Sequence, residues 1–559
     1  ARVLLHLGIS PAICDHVYVR HEESPVMQAF ARRLAKAKDD QLAAYDRKHP
    51  LLGIRHRLTS DPRLFETLPD PGLPGIDTRP VQLHVMHSWG GGLDKWVREF
   101  CRSDQSRRNM VLKSIGRPGV YGERLVLYAD ISHSDPVAVW DLSRSIRSTE
   151  LHHLQYARIL EEIVERFNVR ALLVSSFIGH SLDVLDCPLP TAIICHDYFP
   201  HCPFIFSMHR EMCLECREAG FHDCLETNPL RSIFPGLSDL KWKMIRQGYL
   251  EKIRDKNIPL VVPTLAVKQR LTDLDPEFSG LCFHHIPHGI DTSLFPPVEP
   301  GDAARPDLVV LGELLPQKGL DLFQSVLGEL TAEYRVHLIG CGETGRSLAG
   351  HANIAVVPRY TLETLPGMLG EIKPRAALLL SVWPETFSYT LSEVMAMTIP
   401  PVATNIGAFA ERISDGETGI LFEPTPQGLL AALERLNSDP GLVERIRHNL
   451  RTLPHDSIQH MVQRYHDLLP LPAHCSTTYF QGRLNHRAVY GHPKIMNATH
   501  VDTTLPFIEG LERFCSFAGA KIGHSPRIRG RLVRRFLQKS VWAGFRCISW
   551  LSTKGRGQR

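Results

Sequence analysis

The sequence lacks any long apolar run. In its 559 residues, no hydrophobic stretch approaches the roughly 18 residues that cross a membrane as a helix. The opening residues 1–8 are too interrupted by polar residues and glycine for a signal peptide, and Ile13 before Cys14 argues against a lipoprotein cleavage site. Because residue 1 is alanine, we expect the chain to begin inside a longer one. The composition predicts a soluble globular protein of two to four domains.

Cysteine is sparse and charge is unevenly distributed. Thirteen cysteines in a chain this long favour a reducing compartment over a disulfide framework, so we expect a cytoplasmic protein. Residues 521–559 contain eleven Lys or Arg and no Asp or Glu, whereas the net charge of the whole chain is only +4. The remainder therefore carries −7. An anionic partner would meet this tail and not the body of the protein.

The most informative stretch is a strand–turn–helix–strand sequence between residues 376 and 404. The apolar run Ala376–Leu380 predicts a strand buried on both faces, and a turn containing Pro384 follows. Tyr389–Met397 then predicts a helix with Ser388 as its N-cap, before a second short strand. In such a βαβ unit, ligands bind where the strand ends, and the helix N-terminus offers N–H groups to phosphate.

Two carboxylates lie in this unit, Glu385 in the predicted turn and Glu393 in the predicted helix. Alone, two glutamates eight residues apart are ordinary surface charges. Joined to the strand, the helix cap and the downstream Gly407-Ala-Phe-Ala-Glu-Arg412, they resemble the donor-sugar motif of family 4 glycosyltransferases, in the bacterial polysaccharide type that reads Pro-Glu-Thr-Phe-Ser-Tyr-Thr-Leu-Ser-Glu. The resemblance implies that Glu385 holds sugar hydroxyls and Glu393 the ribose, since a carboxylate accepts two hydrogen bonds from a vicinal diol. It also implies donor contacts from the residues between them: Phe387, Ser388, Tyr389 and Thr390.

The family's glycine-rich loop has a counterpart near residue 90. Residues 81–87 alternate as a strand, and Gly90, Gly91 and Gly92 precede a helix. The implied role of these glycines is to let the donor diphosphate or the acceptor lie against bare backbone. A plain tight turn is the alternative.

The first domain continues with strands and helices in alternation, which predicts a parallel sheet covered by helices. His196 follows a predicted strand at residues 191–195 and matches a family histidine that points towards the reacting sugar, so a catalytic role is implied. His180 is a weaker candidate, and a structural histidine is the alternative for both. The four cysteines downstream include a Cys-x-x-Cys pair and could hold a structural zinc ion or be plain thiols: Cys202, Cys213, Cys216 and Cys224.

Residues 287–295 resemble the family's interdomain crossing, with His288 in place of the usual Asn. After them, the alternation of predicted strands and helices begins again and indicates a second domain. A strand at residues 307–311 leads to Gly312 and Lys318, which match the family's diphosphate-binding turn. The family usually has an Arg just after that glycine, and here the position is Glu313. This departure removes one expected phosphate ligand.

The chain ends are harder to interpret. Residues 1–65 resemble the closing segment of a family 2 glycosyltransferase domain, or form an irregular extension, and residues 66–80 are a linker. The extension at 471–559 contains a basic amphipathic pattern that would suit an interfacial helix on an anionic bilayer, or a helix docked on the body. No nucleic-acid recognition motif accompanies the charge, so nucleic acid is not an expected partner.

The resemblance, over residues 81 to 470, implies a GT-B fold: an N-terminal Rossmann-like acceptor domain (81–286) facing a C-terminal nucleotide-sugar domain (287–470). It implies retaining transfer from a nucleotide-sugar donor to a glycan or lipid-linked acceptor in polysaccharide biosynthesis. No Asp-x-Asp follows a strand in these domains, so no cofactor is expected in catalysis. The alternative is a non-catalytic GT-B scaffold or a membrane-associated assembly subunit.

Overall fold

The computed structural model describes most of the chain between residues 79 and 471. The described residues, all within one compact unit (Arg57–Pro493), are 79–117, 120–129, 136–207, 213, 216, 219–234, 237–301 and 303–471. The predictions for residues 1–65, for most of the linker and for the basic extension lie outside them. None of the described helices is long and apolar enough to cross a membrane.

The first half of this unit is built on an eight-stranded sheet in the order β10-β9-β8-β6-β1-β2-β3-β4. Its strands are β1 (Val81–His87), β2 (Arg108–Arg117), β3 (Val120–Tyr128), β4 (Pro136–Asp141), β6 (Val169–Val174), β8 (Thr191–Ile194), β9 (Leu260–Val262) and β10 (Phe283–His285), and the short β5 (Thr149–Glu150) and β7 (His180–Ser181) pair separately. The prediction of a parallel sheet is correct for the six strands from β10 to β2 and wrong for β3 and β4, which pair antiparallel. Only two residues separate β2 from β3, and a parallel connection needs a crossover of a dozen or more.

Five helices cover this sheet or lie at its edges: α1 (Gly91–Ser103), α2 (Leu154–Phe167), α3 (Ala219–Thr227), α4 (Asp239–Lys256) and α5 (Leu265–Leu274). Helix α1 shows why they form. It buries Leu93, Trp96, Val97 and Phe100, which recur every three to four residues and so share one face. This face shares one buried apolar cluster with Met86 of β1, Val111 of β2 and Leu173 of β6.

The second half has a six-stranded, wholly parallel sheet in the order β13-β12-β11-β14-β15-β16. Its strands are β11 (Asp307–Leu311), β12 (Arg335–Ile339), β13 (Ile354–Val357), β14 (Ala376–Leu379), β15 (Pro401–Thr404) and β16 (Ile420–Phe422). Its helices are α6 (Leu320–Ser325), α7 (Leu327–Glu333), α8 (Gly342–Arg346), α9 (Leu365–Ile372), α10 (Tyr389–Ala396), α11 (Gly407–Arg412), α12 (Pro426–Ser438) and α13 (Pro440–Thr452). Strands β11 and β14 are buried at every residue, as expected for central strands of a parallel sheet.

The last described helix, α14 (Ile458–Leu468), returns to the first half. Its Met461 and Tyr465 are buried in one apolar cluster with Trp96 and Phe100 of α1. Across the same contact, His466 Nε2 lies 3.2 Å from Asp104 Oδ2. The chain therefore crosses between the halves twice and closes on itself. The predicted α/β class with two facing Rossmann-like halves is confirmed.

Candidate functional site

The turn after β14 places Glu385 at the carboxyl end of the central strand of the second sheet. Glu385 is buried, and the hydroxyl of Ser381 donates a 2.5 Å hydrogen bond to its Oε1. The same carboxylate oxygen accepts a hydrogen bond from Lys318 Nζ, which reaches it from the turn after β11. The two sequence-predicted residues Glu385 and Lys318 are therefore in direct contact, although 67 positions separate them.

Helix α10 begins at this turn and is capped as predicted. Ser388 has φ 66° and accepts a hydrogen bond from the Leu391 N–H, and its hydroxyl lies 2.9 Å from that of Thr390. A positive φ is uncommon outside glycine and often marks a functional site. Gly312 lies alongside, since a Cβ there would be 3.8 Å from Thr390 Cγ2. The first N–H groups of the helix thus lie beside the β11 turn, where both could meet a phosphate.

An arginine that sequence reasoning did not assign supports this helix start. Arg412 of α11 donates hydrogen bonds to the carbonyls of Phe387 (2.5 Å) and Ser388 (3.1 Å) and to the Ser392 hydroxyl (2.7 Å). Its guanidinium also lies 4.0 Å from the centroid of the Phe387 ring. Burial lowers the pKa of Arg412 to about 10, so it remains charged at neutral pH. Its hydrogen bonds to the two carbonyls stabilise the positive-φ backbone of Ser388.

The first half holds the same turn from the opposite side. The Tyr198 hydroxyl donates to the Pro384 carbonyl at 3.1 Å. The Thr264 hydroxyl donates to the Thr386 carbonyl at 2.9 Å, and the Thr386 hydroxyl donates to the His196 carbonyl at 2.8 Å. The predicted donor turn therefore lies at the contact between the halves, with His196 directly beside it.

His196 lies in a cluster of rings at the centre of this contact. Its ring centroid is 5.1 Å from those of Trp96 and His288, and the His288 ring stacks on Tyr389 at 5.7 Å. Burial, followed by the nearby His87, lowers the pKa of His196 to about 3. Its Nε2 is buried and has no hydrogen-bond partner among the described residues. His196 is thus a neutral imidazole with a nitrogen available to a ligand.

Glu393, one helix turn beyond Tyr389, is paired across the cleft. Its side chain is 3% exposed, and Oε1 lies 2.7 Å from Lys95 Nζ of α1. Lys95 also lies 4.4 Å from the centroid of the Tyr389 ring. No local sequence pattern indicates this pair, because its members are 298 positions apart and in different halves. The only available clue was that Lys95 follows the glycine loop within one helix turn.

The glycine loop lies at the edge of the cleft. Gly90 and Gly91 have φ of 83° and 74°, and a Cβ added to either would meet nothing within 4 Å. Gly92 faces Tyr389 of the second half, with 3.7 Å between its virtual Cβ and the ring. Gly91 and Gly92 are exposed, so this backbone is accessible to a ligand.

His180 and the four cysteines are buried within the first half. Both His180 ring nitrogens have partners, the Met86 carbonyl at 2.9 Å and the Tyr156 hydroxyl at 3.2 Å, which is the arrangement of a structural histidine. The cysteine side chains are all buried in the core of the first half: Cys202, Cys213, Cys216 and Cys224. Among the described residues, the one group of three His, Cys, Asp or Glu whose ligand atoms lie within 4.8 Å of one another is elsewhere: His152, Asp183 and Asp186. Zinc at the cysteines stays a prediction.

One charge in the cleft is unfavourable for a diphosphate. Glu313 is exposed, and its Oε1 lies 3.3 Å from the place that a Cβ on Gly342 would take. Its side chain therefore covers the turn after β12, and its backbone directly follows Gly312 of the β11 turn. Lys318 is 36% exposed and is the cation nearest to the Glu385 side of the cleft among the described residues. The site has the residues to hold a sugar and a phosphate, with less positive charge than the family pattern implies.

Part of the second half matches one family model. Residues 305–439 match the family model described as Glycosyl transferases group 1. This segment contains Gly312, Lys318, Glu385 and Glu393.

Two curated proteins are similar to parts of the chain. Alpha-D-kanosaminyltransferase of Streptomyces kanamyceticus is 29% identical over 164 residues, 27% of this chain and 41% of the relative. D-inositol 3-phosphate glycosyltransferase of Acidothermus cellulolyticus is 26% identical over 218 residues, 33% of this chain and 48% of the relative. The chain thus spans less than half the length of the curated relatives it matches.

Among solved structures, sucrose-phosphate synthase from Thermosynechococcus elongatus superposes with a TM-score of 0.48 and 14% identity. The superposition covers 70% of this chain and 98% of the synthase. The fold assignment itself rests on the strand orders of the two sheets.

Proposed function

We propose that this protein is a retaining glycosyltransferase of the family 4 type, which transfers a sugar from a nucleotide-sugar donor to a glycan or lipid-linked acceptor in polysaccharide biosynthesis. The observation that carries the proposal is the contact of Lys318 with Glu385 at the turn that leads into α10, within the segment that matches the group 1 model. Both curated relatives are named as glycosyltransferases, which supports the reaction class.

The chemistry follows from where charge develops. As the bond to the anomeric carbon breaks, negative charge accumulates on the departing diphosphate and positive charge on the sugar. Lys318 and the N–H groups at the start of α10 would stabilise the diphosphate, and fixed donors of this kind act without reorganisation. Glu385 would bind the sugar hydroxyls and keep the ring in place.

Retention needs no nucleophile from the protein in this proposal. As the bond between the anomeric carbon and the phosphate oxygen breaks, that phosphate oxygen takes the proton of the acceptor hydroxyl. The hydroxyl oxygen of the acceptor forms the new bond to the anomeric carbon on the same face of the sugar. His196, which is neutral, would accept or donate a hydrogen bond at this face without repelling the positive sugar.

A panel of UDP-, GDP- and ADP-sugars with glycan acceptors tests the proposal by release of free nucleotide. The full chain should release nucleotide from one donor class, and Glu385→Ala should lower turnover on the order of 10²-fold. Glu371→Ala, an exposed glutamate of α9 in the same half, is the matched control and should be unchanged. Equal turnover in wild type and Glu385→Ala would refute the role of Glu385.

One observation favours a second candidate, a non-catalytic scaffold of the same fold. Glu313 places a carboxylate beside the turn that would receive phosphate, which weakens diphosphate binding. A scaffold would bind none of the nucleotide sugars in calorimetry. A transferase should bind one, and Glu313→Arg should tighten that binding.

We propose further that the cysteine cluster binds a structural zinc ion. What supports this is Arg246, which is buried and donates hydrogen bonds to Cys216 Sγ at 3.1 Å and to the Cys216 carbonyl at 3.0 Å. Among the described residues no carboxylate forms an ion pair with Arg246, and thiolates on zinc would supply the missing negative charge. Elemental analysis of the purified full chain should find one zinc, lost in Cys216→Ser and kept in Cys341→Ser, a buried cysteine of the second half. Zinc-free wild-type protein would contradict this.

We also propose that the basic tail at residues 521–559 holds the protein at the inner face of the cytoplasmic membrane. The support is its charge of eleven cations and no anions. Flotation with phosphatidylserine vesicles should recover the full chain and not a chain that ends at residue 520. Equal recovery would contradict the proposal.

A further inference from the structure

Lys95 is one cation placed between a buried carboxylate, that of Glu393, and a partly buried one, that of Glu99. Its Nζ lies 2.7 Å from Oε1 of Glu393, across the cleft, and 3.8 Å from Oε1 of Glu99, one turn along its own helix. The Lys95 side chain is only 15% exposed, so water replaces neither partner easily. At these distances the ammonium is hydrogen-bonded to Glu393 and merely near Glu99.

Each of the two carboxylates has one oxygen that lacks a partner. Oε2 of Glu393 and Oε2 of Glu99 are both buried and accept no hydrogen bond from the described residues. Buried polar atoms without partners are rare and destabilising, and they often mark a place for a ligand. Burial also raises the pKa of Glu99 to about 7, whereas Lys95 opposes this rise. While Lys95 is paired with Glu393, the Oε2 atoms of Glu393 and of Glu99 therefore both lack a hydrogen-bond donor among the described residues.

We propose that Lys95 exchanges partners when the donor binds: it pairs with Glu393 in the empty cleft and moves to Glu99 when the ribose hydroxyls of the nucleotide occupy Glu393. This inference rests on the proposed function, in which Glu393 binds the ribose. Lys95 is then a positioning residue that sets how readily Glu393 becomes available.

The exchange follows from competition for one acceptor. The ribose diol needs both oxygens of Glu393, and Lys95 holds one of them. A lysine displaced without another partner would be left as a buried charge, which is unfavourable. Glu99 provides that partner at the i+4 position, and the Tyr389 ring can stabilise the ammonium in either place. The same movement breaks a contact between the halves, so donor binding changes what holds the cleft together.

The two neighbours of Glu393 should therefore have opposite effects on nucleoside binding. Lys95→Met removes the competitor and should tighten binding about 3- to 5-fold, whereas Glu99→Gln removes the alternative partner and should weaken it by a similar factor. Uridine, guanosine and adenosine are the probes, since they carry ribose without phosphate. Titration of the full chain by saturation-transfer NMR gives the affinities. A merely structural role would weaken binding in both variants.

Lys252→Met is the matched control. Lys252 has the same 15% side-chain exposure and a 2.7 Å ion pair with Asp186, entirely within the first half, and its variant should bind like wild type. If Lys95→Met leaves the affinity unchanged or lowers it while Glu393→Gln weakens binding, the exchange is wrong and the ribose role of Glu393 stands. If Glu393→Gln binds like wild type, or wild type binds none of the three nucleosides, the ribose role fails and the exchange fails with it.

Discussion

The two halves of the molecule contribute unequally to the site. The second half supplies Glu385, Lys318 and the capped start of α10, all close to one βαβ unit. The first half supplies the glycine loop and a group of buried rings. It also shares three hydrogen bonds with the turn at residues 384–386 of the second half. The half with the chemical groups is therefore not sufficient by itself, because its key turn is held in shape by the other half.

The largest expected effect comes from removing the cation of the second half. Lys318→Met leaves Glu385 without its charged partner and the departing diphosphate without its nearest lysine, so turnover should fall on the order of 10²- to 10³-fold. Steady-state nucleotide release measures this. Lys373→Met, an exposed lysine of the same half, is the control, and a fall of equal size in both variants would mean that the loss is not specific to the cleft.

The next effect is on stability and belongs to the first half. Burial lowers the pKa of His84 and of His180 from 6.5 to about 4, so both are neutral when folded and gain protons more readily when unfolded. The free energy of unfolding should therefore fall as pH drops from about 6.5 to about 4, by up to about 3 kcal/mol for each histidine.

Denaturant unfolding at pH 7 and pH 4.5 measures this loss of stability. The His180→Gln variant should lose less stability between the two pH values than wild type does. If wild type and His180→Gln lose the same amount, His180 does not titrate as the buried ring requires.

A smaller effect should come from the contact between the halves. Thr264→Val removes the 2.9 Å hydrogen bond to the Thr386 carbonyl, and one such bond is worth about 1 kcal/mol, so kcat/KM should fall about 5-fold. Thr272→Val, in helix α5 that Thr264 precedes, removes a hydroxyl that donates to the Lys268 carbonyl of its own helix, and it should leave kcat/KM unchanged. Equal values for the two variants would show that the first half does not hold the donor turn.

The sequence predicted the second half better than the first for a physical reason. Strand β11 begins and ends at the residues expected from its apolar pattern, and Ser388 caps α10 as expected. These features are local, because a strand, a cap and a turn are specified by adjacent residues. The family resemblance implied donor-site roles for both Lys318 and Glu385, but their direct contact was not predicted.

What could not be predicted depends on residues far apart in the chain. The antiparallel pairing of β3 with β2 and β4 depends on which strands lie side by side in the sheet, and the sequence analysis did not identify those neighbours. Helix α4 was missed because its buried residues do not follow one clear stripe; Arg246 and Gly248 are buried beside Trp242. The pair of Lys95 with Glu393 depends on how the halves meet, which no local pattern specifies.

Amide hydrogen exchange of the full chain, with and without the nucleotide sugar that the panel identifies, tests the central claim most directly. The account predicts protection on binding at residues 312–319 and 385–393 of the second half, with a smaller change at the glycine loop of residues 90–92. Protection confined to other segments, with these three unchanged, would contradict it.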